Sequence, residues 1–546
     1  MNFILYSDVN DGSISQSLGR PEYSYYFVLK AYRPVLESLG RVHVVQTPGE
    51  VDRLYHELQL TGEDCLFLSF TPPQKTPTDL DCPTLCVVAW EFDSIPHEYW
   101  DNDPHQDWSR TLGRHGRVIT LSSHTARAVR RVLGENFPVL VLPTPLWERF
   151  DAVRADYPAV PVNAGTPLQI KGCIIDSRVL GLSADGLIAP LIEEAPQPVV
   201  EAVVVEAPVV EAAPPLTARR RLFIAKHYLR EWYRALVGGE WRRPLFISKH
   251  YVREGYREGL RDLVPERLRA LMAGERAPEP APPVELPPPL PVPVPVPAAE
   301  AEHPQASLPA TDQLVELQVD GVVYVSVFNP DDGRKNWHQL ITAFCWAMRD
   351  TEDATLVLKM TQSDLSSYYV EVLTLLSQLS PFSCRVVALH GYLDDEQFAR
   401  LYGAASFYVN ASRCEGLCLP LMEFMACGKP AIAPLHTAML DYIDEDVAFV
   451  VKSSQEPAIW PQDSRILFRT LRHRPDWGSL KTAYQDSYRL AKENPAGYQA
   501  MSQAAAARMQ QYSSFASVQG RLRGFLKLPA PSAADGPSSL AVAGNA

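Results

Sequence analysis

The strongest structural signal in this chain is Glu415-Gly-Leu-Cys-Leu-Pro-Leu-Met-Glu423, which runs directly into Phe-Met-Ala-Cys-Gly-Lys-Pro. Pro420 stands where a helix can begin, because proline in the first helical turn loses no hydrogen bond. The pattern predicts a loop over 415–419 and a helix from about 420 to 426. Both glutamates could then face a phosphate or diphosphate, which the free N–H groups of a helix N-terminus suit. An ordinary amphipathic helix with a solvated glutamate is the alternative.

Two segments upstream show a similar order of strand, turn and helix. One runs from the strand pattern Gly321-Val-Val-Tyr-Val-Ser-Val-Phe328 into Arg334-Lys335-Asn336 and an apolar helix pattern. The other is the strand pattern Val386-Val-Ala-Leu-His-Gly391, followed by a predicted helix over 395–403 that opens with a capping box. In this order, over about 320 to 450, the three motifs resemble the C-terminal half of the family 4 glycosyltransferases.

The resemblance implies an α/β protein of the GT-B fold, with two Rossmann-like, doubly wound domains facing across a cleft. It implies transfer of a sugar from a nucleotide-sugar to a glycan or a lipid-linked acceptor, with retention of configuration and without a metal. No cofactor is expected, since the nucleotide-sugar is a substrate. The expected setting is bacterial surface polysaccharide or lipopolysaccharide synthesis. A nucleotide-sugar epimerase of the same fold and a non-catalytic, transferase-like adaptor at the membrane are the alternatives.

The resemblance also implies roles for individual residues. The expected catalytic group consists of Glu415, which would contact the donor sugar, and of Arg334 and Lys335, which would stabilise charge on the departing diphosphate. Glu423 is expected to accept hydrogen bonds from the ribose hydroxyls of the donor. The other expected donor-binding residues are Gly416, Leu417, Cys418, Leu419, Gly391 and Asn336.

The main departure from the family pattern is Cys418, which stands at the family's second glycine. Leu417 stands where the family has its first aromatic residue. Glycine lets the backbone approach a ligand closely, so a side chain at 418 could narrow or reshape the sugar pocket. Cys418 is also the feature that favours the adaptor alternative, whereas the presence of Glu415, Glu423, Arg334 and Lys335 together favours the enzyme.

Residues 1–150 alternate short apolar runs with helix patterns, which predicts a parallel, doubly wound sheet. The runs that read as buried strands are 3–6, 42–45, 65–68, 85–89 and 118–121. Strand ends in such sheets face the ligand crevice. Glu91 and Asp93 directly follow one run, so either could contact the acceptor, although a surface or capping role fits them equally. No G-x-G-x-x-G pattern occurs in this domain, so a redox dinucleotide is not supported.

Composition narrows the class of protein further. The chain has 546 residues, 46% of them hydrophobic, and a net charge of −13, which argues against nucleic-acid binding. Nine cysteines without a C-x-x-C pair indicate reduced thiols in the cytosol, and the N-terminus lacks a signal-peptide pattern. No apolar run approaches the ~18 residues of a membrane span. The aspartate pairs 331–332 and 394–395 have the wrong spacing for a metal site, and none is expected.

Residues 151–310 read as an insertion or linker, between the N-terminal domain and a donor-binding domain at 311–528. The insertion holds Pro/Val/Ala/Glu-rich tracts and a repeat in which Leu222–Arg234 recurs as Leu245–Arg257. Residues 219–269 carry fourteen Lys and Arg against six Asp and Glu. A basic, aromatic-bearing amphipathic helix suits an anionic membrane surface, here the inner face of the cytoplasmic membrane. A duplicated helical hairpin that docks on protein is the alternative. The tail at 529–546 is expected to be disordered.

Overall fold

The computed structural model of the protein describes residues 1–182 and 308–529, apart from residues 11, 15, 16, 21, 101, 102, 181 and 312. The Pro-rich tracts, the basic repeat at 219–269 and all but the first residue of the 529–546 tail lie outside the described residues. In the part of the chain that the structure describes, no helix is both long and apolar enough to cross a membrane.

The N-terminal sheet contains six parallel strands, as the alternating pattern predicted. Their order is β2–β1–β3–β4–β5–β6. The central strands are buried, but β2 lies at the edge and is half-exposed, so the expectation of a buried strand at 42–45 was wrong about its burial. The strands are β1 (Asn2–Tyr6), β2 (Arg41–Val44), β3 (Cys65–Ser69), β4 (Thr84–Val88), β5 (Val118–Thr120) and β6 (Val139–Val141).

Four helices pack on this sheet, and local sequence explains where the later two begin. Asp107 accepts a hydrogen bond from the N–H of Ser109, and Ser122 accepts one from the N–H of Thr125, so each side chain satisfies a free donor of a helix start. The helices are α1 (Tyr23–Glu37), α2 (Val51–Gln59), α3 (Trp108–His115) and α4 (Ser123–Leu133).

The second sheet has the order β14–β13–β12–β9–β10–β11–β8, and β7 pairs with the first half of the long strand β9. Strands β9 to β14 are parallel, whereas β7 and β8 are antiparallel to their partners. The strands are β7 (Asn163–Lys171), β8 (Cys173–Asp176), β9 (Leu314–Phe328), β10 (Ala354–Met360), β11 (Arg385–His390), β12 (Phe407–Val409), β13 (Ala431–Pro434) and β14 (Ala448–Val451).

The domain boundary differs from the one that the sequence predicted. Residues 163–176 were assigned to the insertion, yet β7 pairs with β9 from Asn163–Gly321 to Lys171–Leu314, and β8 pairs with β11. The second domain therefore begins before residue 311, and the insertion interrupts it between β8 and β9. Pairing between segments so far apart in the chain leaves no local sequence pattern. The sequence therefore did not predict that β7 and β8 belong to the second domain.

Eight further helices complete the described chain. They are α5 (Trp147–Asp156), α6 (Trp337–Ala347), α7 (Tyr369–Leu379), α8 (Asp395–Ala404), α9 (Leu419–Ala426), α10 (Trp477–Glu493), α11 (Pro495–Ser513) and α12 (Phe515–Leu526). The predicted helices at 420–426 and 395–403 are confirmed as α9 and α8. Asp394 and Gln397 form the expected capping box of α8. Helix α5 packs against α9 and α11, while α12 returns to pack against α1, so both helices connect the two sheets.

A polar hairpin, β15 (Ser453–Ile459) and β16 (Arg469–Pro475), reaches from the second domain to the first. Trp460, just after β15, lies edge-on to Trp90, with ring centroids 5.4 Å apart, and to Trp108 at 5.9 Å. Asp93 accepts hydrogen bonds from the Thr470 hydroxyl at 2.8 Å and from the Leu471 N–H at 2.9 Å. The hairpin therefore contacts both domains and stabilises their packing beside the cleft.

Candidate active site

The candidate site is the cleft between the two sheets, which has a volume of about 670 Å³. Its walls are formed by the carboxyl ends of parallel strands from both domains and by the loops that follow them. This is the edge at which open α/β sheets bind ligands. The N-terminal wall includes Trp90 and Glu91 after β4, and the opposite wall includes the turn at 333–335 and the loop before α9.

Glu415 is the centre of a buried ion-pair cluster. Its side chain is almost fully buried, and its two oxygens are 2.8 Å from the Arg334 guanidinium and 2.7 Å from Lys335 Nζ. Burial alone would raise the pKa of Glu415, but the charges of Lys335 and Arg334 hold it well below its usual range. The carboxylate is therefore ionised at any pH near neutral, and it occupies both cations in the absence of a ligand.

Arg334 meets two more carboxylates. Its Nε is 2.9 Å from Asp332 and 3.4 Å from Glu91, which belongs to the other domain. Burial raises the pKa of Glu91, and the charges of Asp332 and Glu415 add to the rise while Arg334 opposes it. Three carboxylates thus face two cations, so the cluster carries a net charge of −1 when all five groups are ionised. A diphosphate must displace carboxylate from Arg334 and Lys335 to bind there.

Local geometry places the two cations. They lie on a 3₁₀ turn, Gly333–Lys335, where the Asp332 side chain accepts a hydrogen bond from the Arg334 N–H. Asn336 follows in the left-handed conformation at φ 55°, and its buried amide donates to the carbonyl of Ala411 at 3.1 Å. Asn336 does not line the cleft. It holds the turn against the loop after β12, so the structure gives this expected donor-binding residue a supporting position.

The loop that leads into α9 approaches the other domain closely. A Cβ on Gly416 would be 3.0 Å from the backbone nitrogen of Trp90, so a larger residue would require the backbone there to shift. Cys418 adopts the left-handed conformation at φ 65°, which L-residues other than glycine rarely adopt. Its Sγ accepts a hydrogen bond from the Asn410 amide at 2.9 Å. The four loop residues Gly416, Leu417, Cys418 and Leu419 all line the cleft.

Glu423 lies one turn into α9 and faces the same cleft. One of its oxygens accepts a hydrogen bond from the Tyr402 hydroxyl at 2.9 Å. Burial raises the pKa of Glu423, although the Arg149 charge and the Tyr402 hydrogen bond oppose the rise. One carboxylate oxygen is held by Tyr402, and the other has no hydrogen-bond partner among the described residues. This second oxygen can accept a hydrogen bond from a hydroxyl group of a ligand.

Two expected site residues have other positions. Gly391 does not line the cleft: a Cβ there would be 2.3 Å from the carbonyl oxygen of Lys171, so glycine is needed where β11 passes the turn between β7 and β8. Its neighbours Tyr392 and Leu393 line the cleft instead. Asp93 also lies outside the lining, because its carboxylate is bound to Arg131 and to the hairpin. Of the two acceptor-side residues predicted, only Glu91 faces the cleft.

Several lining residues were not anticipated from the sequence. Lys359 is the second-last residue of the buried strand β10, and a charged residue in that apolar run was a signal that could have been used. Trp460 and Gln462 reach the cleft only through the hairpin, and Arg149 only through α5. Their positions depend on packing between distant parts of the chain, so no local sequence pattern predicts them.

The protein has two Rossmann-like parallel sheets, a cleft between the carboxyl ends of their strands, and a terminal helix that crosses back to the first domain. These features define the GT-B class. Residues 320–461 match the family model described as glycosyl transferases group 1. Over these residues, the match confirms the resemblance seen in the sequence motifs.

Comparison with curated proteins found no match. Solved structures similar to this chain include HepE of Anabaena in complex with UDP and glucose, with 11% identity over 97% of this chain and 99% of that chain, at a TM-score of 0.41. Sucrose-phosphate synthase from Thermosynechococcus elongatus has 12% identity over 96% and 98%, at 0.45. A glycosyltransferase from Rickettsia africae has 8% identity over 97% and 99%, at 0.44. At such TM-scores these similarities do not identify a donor or an acceptor.

Proposed function

We propose that this protein transfers a sugar from a nucleotide-sugar donor to a glycan or a lipid-linked acceptor. The observation that carries the proposal is the buried Glu415, which holds Arg334 and Lys335 beside the N-terminus of α9, with Glu423 in the same cleft. A carboxylate with a free acceptor, two cations and a helix N-terminus are the groups that a nucleoside diphosphate requires.

The transfer breaks the bond between the anomeric carbon and the diphosphate oxygen, which leaves with the electron pair. The acceptor hydroxyl forms the new bond to the anomeric carbon, and its proton passes to the leaving diphosphate. Arg334, Lys335 and the N–H groups at the start of α9 stabilise the charge that develops on the leaving oxygen. Glu415 then orients the sugar hydroxyls, and Glu423 accepts from the ribose.

The acceptor enters from the N-terminal wall, where Glu91 lies within an ion-pair distance of Arg334. When Arg334 turns to the diphosphate, Glu91 loses its partner and can accept a hydrogen bond from the acceptor hydroxyl. Retention of configuration and a metal-free reaction complete the proposal. Retention rests on the family resemblance alone. The metal-free reaction also rests on Arg334 and Lys335, which would supply the counter-charge of the diphosphate.

A panel of nucleotide-sugars tests the proposal. Donors that bind should raise the melting temperature, because a ligand at 100 times its Kd adds about 2.7 kcal/mol of stability. The donor that binds is then offered with glycan and lipid-linked acceptors, and the anomeric configuration of the product is read by NMR. A panel that gives no binding contradicts the proposal, and conversion of the donor without any acceptor identifies an epimerase instead.

The cellular setting belongs to the same proposal: synthesis of surface polysaccharide or lipopolysaccharide at the inner face of a bacterial cytoplasmic membrane. The fourteen Lys and Arg at 219–269 would bind anionic lipid, each contributing about 1 kcal/mol near the surface. Deletion of 216–275 should abolish binding to phosphatidylserine liposomes while turnover of a soluble acceptor changes little. Equal liposome binding by the deletion variant and the wild type would favour the docking hairpin.

A further inference from the structure

Lys359 is a buried lysine on the wall of the cleft. It is 2% exposed, near the end of β10, yet it belongs to the lining of the cleft. Strand β10 lies between β9, whose following turn carries Arg334 and Lys335, and β11, whose following loop carries Tyr392. Lys359 therefore lines the same cleft as Arg334, Lys335 and Glu415 without belonging to their ion-pair cluster.

The ammonium group of Lys359 lacks the partners that a buried charge needs. It has three N–H donors and, among the described residues, makes one hydrogen bond, to the carbonyl of Met360 at 2.8 Å. Within the described residues, no carboxylate is found within 4.0 Å of it. His390 on β11 is near enough to feel this charge: burial and the charge of Lys359 both lower the pKa of His390. Burial lowers the pKa of Lys359 itself to about 7.

Burying an ammonium group costs free energy unless acceptors form hydrogen bonds with its N–H groups. The open side of Lys359 is the cleft, so the missing acceptor comes from whatever occupies the cleft. We propose that Lys359 binds an oxygen of the donor nucleotide and takes up a proton from solvent as the nucleotide enters. This inference rests on the proposed nucleotide-sugar donor. Two kinds of oxygen have the required chemistry, a phosphate oxygen and a base carbonyl.

A second lysine provides the matched control. Lys429 is also fully buried, its Nζ has no hydrogen-bond partner among the described residues, and burial lowers its pKa to about 8. Lys429 does not line the cleft. Replacing either lysine with methionine removes the same kind of buried charge and keeps the volume, so a difference between the two variants reports on the cleft alone.

The experiment is calorimetric titration of the full-length protein with UDP, GDP and ADP at pH 8, in two buffers with different ionisation enthalpies. Binding to the wild type should take up a substantial fraction of one proton, because Lys359 is mostly neutral before binding and charged after it. Lys359→Met should weaken the binding about tenfold and remove the proton uptake. Lys429→Met should change neither. Lys359→Arg, which stays charged, should keep binding without uptake.

Titrations with inorganic pyrophosphate and with the free nucleosides distinguish the two sources of the oxygen. Weaker pyrophosphate binding in Lys359→Met assigns the contact to phosphate, and weaker nucleoside binding assigns it to the base. Wild-type affinity and wild-type proton uptake in a folded Lys359→Met variant would overturn the inference and leave the proposed function standing. No binding of any nucleotide to the wild type would overturn both.

Discussion

Replacing Glu415 with glutamine should make the protein bind a nucleoside diphosphate more tightly while it destroys turnover. In the ligand-free protein Glu415 holds Arg334 at 2.8 Å and Lys335 at 2.7 Å. An incoming diphosphate competes with this carboxylate for both cations. Glutamine keeps the size of the side chain and removes the competing charge, so the cations become available to the ligand.

The magnitude follows from the burial of the cluster. Removing one partner of a buried ion pair costs about 3–5 kcal/mol, because the remaining charge is left uncompensated. Arg334 keeps Asp332 and Glu91, and the glutamine oxygen still accepts one hydrogen bond, so we expect a loss of stability of about 3 kcal/mol. A bound diphosphate restores the missing charge and returns roughly half of that free energy, which corresponds to about tenfold tighter binding. Turnover should fall by about 100-fold or more, since the variant no longer positions the sugar.

Calorimetry with UDP, or with whichever diphosphate the wild type binds, measures the affinity, and chemical denaturation measures the stability. Asp176 is the matched control, because its carboxylate also holds a buried arginine, Arg385 at 2.7 Å, and neither of these two residues lines the cleft. Asp176→Asn should leave diphosphate affinity unchanged. Weaker or unchanged binding in Glu415→Gln would show that the carboxylate does not compete with the ligand, and the reasoning would fail.

Four further predictions concern other parts of the molecule. Glu423→Gln should raise the donor KM about tenfold or more with a folded protein, because one ribose acceptor is lost; an unchanged KM places the ribose elsewhere. Trp460→Ala should lower the free energy of unfolding by about 3–5 kcal/mol, whereas Trp346→Ala, at a site that is 54% exposed, should cost far less. Transfer should survive excess EDTA, and loss of activity that Mg²⁺ or Mn²⁺ restores would refute the metal-free reaction. Lys359 is charged in the unfolded chain up to about pH 10 but only below about pH 7 when folded. The folded state thus binds fewer protons than the unfolded chain between these pH values, so the cost of burying Lys359 is largest at low pH. Lys359→Met removes this cost and should stabilise the protein by roughly 2–3 kcal/mol more at pH 6 than at pH 9. Equal stabilisation at the two pH values would contradict the lowered pKa.

Features encoded by neighbouring residues were predictable from the sequence. Pro420 sets the start of α9, and Asp394 with Gln397 sets the start of α8, because each acts within a single helical turn. The two helix starts needed no knowledge of contacts between distant segments. The grouping of Glu415 with Arg334 and Lys335 was implied by the family resemblance, and it agrees with loops that follow parallel strands ending at one edge of a sheet.

Features that depend on such contacts were not predictable. Residues 163–176 were assigned to the insertion, because their partners β9 and β11 lie beyond it in the chain. Gly391 consequently read as a donor-binding glycine, although Lys171 on the β7 side requires it. The hairpin strands Ser453–Ile459 and Arg469–Pro475 are mostly polar and lack the alternation of a half-buried strand. The sequence left Asp93 open between an acceptor contact and a surface or capping role, because its partners on the hairpin could not be predicted.

The interruption of the second sheet has a consequence for how the chain reaches its native state. Strands β7 and β8 are synthesised before the insertion, yet β9 and β11, with which they pair, emerge from the ribosome only after it. The donor domain therefore cannot complete its sheet until the insertion has been made. The same topology means that one cut within 183–307 would separate the chain into two fragments that share a single sheet. Seven backbone pairings between β7 and β9, and four between β8 and β11, would hold the fragments together without a covalent link.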